Sequence, residues 1–238
     1  MVDNRHNHSL TPGPIFGVRL KPCFGVALPV AGATPRRSPQ KMSSPDSDTL
    51  RLSHEELCDR IEKLTCGMMD FWKSAHGWAP IEAAGLLNVS TLEWQSSLSE
   101  SLRRWISAES DGDLILAWAN LGALVEGQLK LFLSIYYRDY AADADAIRDR
   151  RGRLTEPDRT TIEPLRQFFV RRIWTVGTDW DTYVSLVQQR RNAIHAFRER
   201  ELGSFQEWRD TLRTHLSFVR DINSRVPYPD SIYEPRET

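Results

Sequence analysis

The sequence predicts an all-α fold: a helical bundle of five or six helices behind a disordered N-terminal tail. From Leu57 onward, apolar residues recur at steps of three and four, and glycine, proline and capping residues punctuate them. No segment alternates apolar and polar residues as a half-buried strand would, and there is no internal repeat or glycine-rich phosphate loop. The 238 residues are 40% hydrophobic and 26% charged, enough for one core without a second domain. A formal net charge of −1 argues against a general nucleic-acid coat, so any RNA contact must be local.

Residues 1–48 differ from the rest. Pro12, Pro14, Pro22, Pro29, Pro35, Pro39 and Pro45, set among Gly, Ser and Arg, cannot sustain a helix or a packed sheet, and this stretch reads as disordered. Arg19 and Lys21 before the Phe24–Val30 run and Ala31-Gly32-Ala33 faintly copy a secretory signal. The run is short, contains Gly25 and Pro29 and starts far from the N-terminus, so a cytoplasmic chain is the stronger reading. Met42, ahead of Ser43-Ser44-Pro45, is a candidate true start. The folded domain is expected over 49–226, with 227–238 as a C-terminal tail because Pro227, Pro229 and Pro235 end regular structure.

Within the domain, Ser53 and Glu56 form a capping box, and Leu57, Ile61, Leu64, Met68 and Phe71 define the first stripe. Gly77 and Pro80 break it and a short connector follows. Ser90 with Glu93 opens a second helix through Trp94, Leu98, Leu102 and Trp105, and Asp111–Asp113 caps a third over about 114–140. That third helix carries twelve uncharged residues between Asp113 and Glu126, short of the ~20 that span a bilayer. It is a buried bundle helix, and no membrane contact is expected. Gly122 and Gly127 each cost about 1 kcal/mol against alanine, which implies another backbone close by, within the bundle or across a dimer. Glu126 lies off the main stripe as a surface or salt-bridge residue, with pairing to a downstream arginine as an alternative.

An Asp/Arg-rich connector over 141–157 joins the halves, and Asp158 starts a helix through Leu165, Phe168, Phe169 and Ile173 that Gly177 ends. Thr178 or Asp179 caps the next helix, Gly203 stops its continuation, and Ser204 with Glu207 caps the last, through Trp208, Leu212, Leu216 and Val219. In the helix before Gly203, Trp180, Tyr183, Val184, Val187 and Ile194 share one stripe, and Arg191 projects into it. A core helix has no use for a cation there.

The segment Arg190-Arg191-Asn192-Ala193-Ile194-His195 closes that helix. On a continuous helix Arg191 and His195, four apart, are neighbours, while Arg190 and His195 flank the stripe. The bland reading is that the arginines drape their stems over the core and pair outward, with His195 on a backbone carbonyl. The segment also resembles the signature of the HEPN superfamily, helical bundles in which an Arg, four to six residues and a His mark a metal-independent RNA-cleaving site. Arg190 to His195 fits the spacing. The polar residue often found after the motif arginine would be Arg191, whereas Asn192 follows the second arginine, so the motif arginine stays open between the two.

The resemblance implies an endoribonuclease that uses no metal or other cofactor. The RNA 2′-hydroxyl attacks its own phosphodiester, leaving a 2′,3′-cyclic phosphate and a 5′-hydroxyl. His195 would transfer protons, since an ordinary imidazole titrates near ~6.5. Arg190 or Arg191 would hold the phosphorane charge, Asn192 would orient the histidine or bind phosphate, and Arg191 and Arg198 would bind substrate. One motif supplies one histidine, so a homodimer is implied to bring two motifs to one cleft. The biological role it implies is a bacterial toxin or phage-defence ribonuclease with a possible antitoxin or defence partner protein. A non-catalytic HEPN-like module that binds RNA, a nucleotide or a protein is the alternative, and an oligomerisation bundle a third.

The other chemistry-bearing residues carry less. Cys23, Cys58 and Cys66 lack metal-ligand spacing and cannot all pair, which reads as a reducing compartment without zinc. His6, His8, His54, His76 and His215 show no site pattern. The arginines clustered at 148–153, 166–172 and 190–200 lie in the half that carries the motif, and each cluster alone reads as a solvated face.

Overall fold

A computed structural model describes residues 48–74, 79–175, 178–195 and 200–237. The expectations placed on residues 1–47 with Cys23, on Gly77, on Gly177 and on Arg198 fall outside these residues. The described chain is all-helical, as expected, with eight α-helices and five short 3-10 turns. Its only β pairing is an isolated antiparallel bridge between Arg148 and Leu154.

Helix α1 (His54–Lys73) starts at the capping box: Ser53 Oγ accepts from the Glu56 N–H at 3.2 Å, and Glu56 Oε2 accepts from the Ser53 N–H at 2.7 Å. It buries Leu57, Ile61, Leu64, Met68 and Trp72. Helix α2 (Ile81–Val89) occupies what the sequence reading took for a connector. Ile81, Ala83, Ala84, Leu86, Leu87 and Val89 run almost all round it, so no stripe announced it, although Pro80 just ahead is a helix-start signal. Ser90 finishes α2 by donating its hydroxyl to the Leu86 carbonyl at 2.6 Å and does not cap the next helix.

Helix α3 (Leu92–Ser101) is preceded by Thr91, which makes no side-chain cap, and runs into a 3-10 turn at Leu102–Trp105. The expected stripe through Trp94 is corrected. Leu92, Ser99 and Leu102 face inward, and Trp94, two residues past Leu92, lies on the opposite side at 66% exposure.

Helix α4 (Asp111–Ile135) is capped by Ser110, not by the aspartates, its hydroxyl accepting from the Asp113 N–H at 3.2 Å. It ends at Tyr136, where the backbone opens before a short α5 (Tyr137–Ala142). α4 is the axis of the bundle, packing against α2, α3, α6, α7 and α8, while α1 packs on α3 and α8. Trp118, Leu121, Leu124, Val125, Leu129 and Phe132 on it are fully buried.

Gly152, at φ +76°, closes a tight turn in which the Asp149 carboxylate accepts from the Arg151 and Arg153 N–H groups. Helix α6 (Ile162–Arg172) begins after Thr161; Asp158 belongs to a separate 3-10 turn at Pro157–Arg159. Helix α7 (Trp180–Arg191) follows Asp179, which makes no side-chain cap, and helix α8 (Phe205–Arg225) is capped by Ser204 through the Glu207 N–H at 3.1 Å.

Residues 227–237 hold only a 3-10 turn at Ser231–Tyr233, as their prolines require, yet they pack back on α1. Pro235 lies against Gly67, where an added Cβ would come within 2.8 Å of it. Tyr228 packs its ring 4.9 Å from Phe71, and Glu237 pairs with Arg60 and Arg220. Among the described residues no helix is long and apolar enough to cross a membrane.

Candidate functional site

The motif helix does not run on through His195. α7 ends at Arg191, and Asn192–His195 form a 3-10 turn. The tighter winding, about 120° per residue against about 100°, rotates the last residues away from the stripe that an unbroken helix predicts. Ala193 is therefore buried, while Ile194, expected on the stripe, is 48% exposed. His195 is exposed at the end of the turn, and neither it nor the Asn192 amide has a side-chain hydrogen-bond partner among the described residues. The expectation that Arg191 and His195 sit one helical turn apart on one face is corrected by the same change of winding.

The two arginines separate. Arg190 turns toward the start of α8, its side chain only 10% exposed. Nη1 donates to the Glu201 carbonyl at 2.6 Å, and Nη2 donates to Glu201 Oε1 at 3.1 Å and Glu207 Oε1 at 3.0 Å. Burial works against the charge, but the two carboxylates outweigh it and hold the guanidinium above the ordinary arginine range. Gly203 makes room for this arrangement. It adopts φ +69°, and a Cβ there would fall 1.9 Å from Glu207 Oε2 and 3.3 Å from Arg190 Nε.

Arg191 turns the other way, onto α4. Its stem lies over Gly122, where an added Cβ would meet Arg191 Cδ at 2.5 Å, and its Nη1 donates to Glu126 Oε2 at 2.5 Å. Lys130 reaches the other oxygen of the same carboxylate at 2.7 Å and also donates to the Asp158 carbonyl at 3.1 Å. Burial raises the Glu126 pKa, yet the two cations more than offset it and leave the group below the usual glutamate range, hence ionised. The close approach expected at Gly122 and Gly127 is thus made by side chains, not by a second backbone: Arg191 at Gly122 and the Gln95 amide at Gly127.

Arg191, Glu126 and Lys130 line one end of a cleft of about 430 Å³ between α4 and the α2–α3 segment. Its apolar wall includes Leu87, Val89, Leu92, Trp94 and Leu98. Sequence reasoning missed Lys130, Trp94 and Glu201. Lys130 stands four residues after Glu126, which was a usable signal; Trp94 was hidden in a stripe it does not join, and Glu201 is placed by a loop.

Several other arginines of this half are spent on carboxylates. Arg166 pairs with Glu163 and Asp181, Arg172 with Asp143, and Arg153 with Asp149. The 166–172 cluster is a charge-balanced face, whereas in the 148–153 cluster only Arg153 has a carboxylate partner among the described residues. His215 is fully buried, sharing a 2.8 Å hydrogen bond with Tyr183 Oη, and burial pushes its pKa down to about 3. Burial likewise pushes the Cys58 thiol up to about 12, which makes it a poor nucleophile. The described residues contain no group of three or more His, Cys, Asp or Glu placed to hold a metal ion. No family model, curated protein or solved structure matches the chain.

Proposed function

We propose that this protein is a metal-independent endoribonuclease, with His195 as the proton-transfer group and Arg191 as the phosphate ligand. The observation that carries the reading is the disposition of the motif: an exposed imidazole ends the 3-10 turn that follows α7, and the last arginine of α7 lines an open cleft. The RNA 2′-hydroxyl would give its proton to a base as its oxygen attacks phosphorus, and the 5′-oxygen would leave and take a proton from an acid. The Arg191 guanidinium would meet the charge on the non-bridging oxygens, exchanging Glu126 for phosphate while Lys130 keeps the carboxylate company. Arg190, committed to Glu201 and Glu207, would fix the end of α7 rather than touch substrate. Since acid and base are both needed and one motif offers one imidazole, a symmetric dimer would supply the second.

A second reading has its own support: both motif arginines are ion-paired, which also suits a module that binds RNA without cutting it. Single-stranded and structured RNAs incubated with the protein in excess EDTA separate the two. The ribonuclease reading expects fragments with 2′,3′-cyclic ends that His195→Ala reduces roughly 10²- to 10⁴-fold, with folding and RNA binding retained. Full activity in His195→Ala would sink the assignment, and RNA binding without cleavage would favour the module.

A further inference from the structure

Among the described residues Trp94 is the largest side chain left in water, 66% exposed on the rim of the α3–α4 cleft. Val89, 72% exposed, stands on the same wall. Leaving an indole and a branched aliphatic beside a concavity forfeits burial that other positions in this bundle obtain, and such rims mark ligand sites more often than chance. At about 430 Å³ the cleft has the size of a small-ligand site, within the ~300–1,000 Å³ usual for them. Its charged groups are not spread evenly. Lys130 and Arg191 bring positive charge to one end, where they share Glu126 and Lys130 lies against Asp158, while the rest of the wall is apolar apart from the uncharged Ser90, Thr91, Gln95 and Ser134.

A ligand that matches both ends has a flat aromatic part for the indole and an anionic part for the cations. We propose that this cleft binds one unstacked nucleobase of a single-stranded nucleic acid, with the base on Trp94 and its adjoining phosphate at Lys130 and Arg191. A duplex is excluded by geometry, because its bases are stacked and paired and cannot enter a side cleft. The proposal rests on the preceding reading in one respect, that Arg191 meets phosphate. It gives that reading a substrate class: single-stranded RNA, held one nucleotide at a time beside the motif.

The test uses a ligand that cannot be cleaved by 2′-hydroxyl attack, so binding and catalysis fail separately. A fluorescently labelled single-stranded oligodeoxynucleotide is titrated by anisotropy against wild type, Trp94→Ala, Trp94→Phe and a control, Val170→Ala, whose residue is 40% exposed away from the cleft lining. We expect Trp94→Ala to weaken binding about tenfold, the scale of one lost aromatic–base stack, with Trp94→Phe retaining most affinity and Val170→Ala unchanged. Quenching of tryptophan emission on binding should shrink in Trp94→Phe, which reports the stack even if the alanine variant were to misfold. An abasic oligonucleotide of equal length keeps the phosphates and should bind much more weakly. Equal binding by Trp94→Ala, by the abasic strand or by duplex DNA would overturn the proposal and leave only a cationic surface. Trp94-dependent binding in a protein that cuts no RNA would leave this site standing and remove the ribonuclease.

Discussion

The two faces of α7 use the same residue types for opposite ends. Toward α8, Arg190 meets Glu201 and Glu207, Tyr183 meets His215, and Trp180 packs against Phe218, in a layer that buries Arg190, Tyr183 and His215. Toward α4, Arg191 meets Glu126 in a cleft open to water, and the carboxylate is shared with Lys130. What differs is replaceability. A nearly buried cation held by two carboxylates and a backbone carbonyl cannot be exchanged for a ligand without unpairing the end of α7 from the start of α8. A half-open cation whose partner has a second cation can be.

The comparison breaks first on stability. Arg190→Met should cost roughly 2–4 kcal/mol, because two carboxylates and a carbonyl lose a nearly buried donor. For a domain of this size that lowers the melting temperature by roughly 5–12 °C. Arg191→Met should cost about 1 kcal/mol or less, its side chain being 29% exposed and Glu126 keeping Lys130. Equal losses in thermal unfolding would show that the two faces are not distinct.

The second effect separates the faces by pH. His215, with its pKa pushed down to about 3, stays neutral in the fold, whereas an unfolded imidazole gains a proton below about 6.5. The unfolded state therefore binds more protons across that window. Stability is full above pH 6.5 and falls as pH drops toward 3, by about 2 kcal/mol between pH 7 and pH 5. His54 is shifted in the same direction, chiefly by partial burial, and adds a smaller part. Tyr183→Phe/His215→Leu removes both hydrogen-bonding partners and should flatten most of the slope in denaturant unfolding at the two pH values. An unchanged slope would mean that the imidazole titrates in the fold.

Much of this architecture was legible because its signals were local. The Ser53–Glu56 box, the α1 stripe and the buried character of α4 follow from spacing alone. The failures came where a longer-range contact decides. α2 escaped because its apolar residues encircle it, and Trp94 was assigned to the wrong face because packing buries the side that carries Leu92, Ser99 and Leu102. At the site, the arginine pair was visible as cations out of place, but their partners were not. Glu201 reaches Arg190 through a loop, and Glu207, read as half of a capping box, turns its carboxylate to Arg190 instead. The switch to 3-10 winding after Arg191 has no sequence mark that a periodicity argument detects, and it moves Ile194 and His195 outward.

The smallest effect sharpens the α4 face. An alanine in place of a helical glycine ordinarily gains about 1 kcal/mol, and Gly85, with open space around its Cβ position, should show a gain of that kind in α2. Gly122 should not. Its Cβ would press on Arg191 Cδ at 2.5 Å and on Arg191 Cβ at 2.9 Å, so the helix gain is offset by displacing the arginine stem from α4. Gly122→Ala should come out destabilising by about 1 kcal/mol. In an Arg191→Ala background the Cδ contact is gone and only the Cβ contact at 2.9 Å remains, so the same substitution should be close to neutral. The double-mutant cycle then reads a coupling of about 1 kcal/mol between the two positions, within the range for side chains in contact. If Gly122→Ala instead stabilises the protein as much as Gly85→Ala does, Arg191 does not lie on α4 in solution, and the open face of α7 has no fixed cation to offer a ligand.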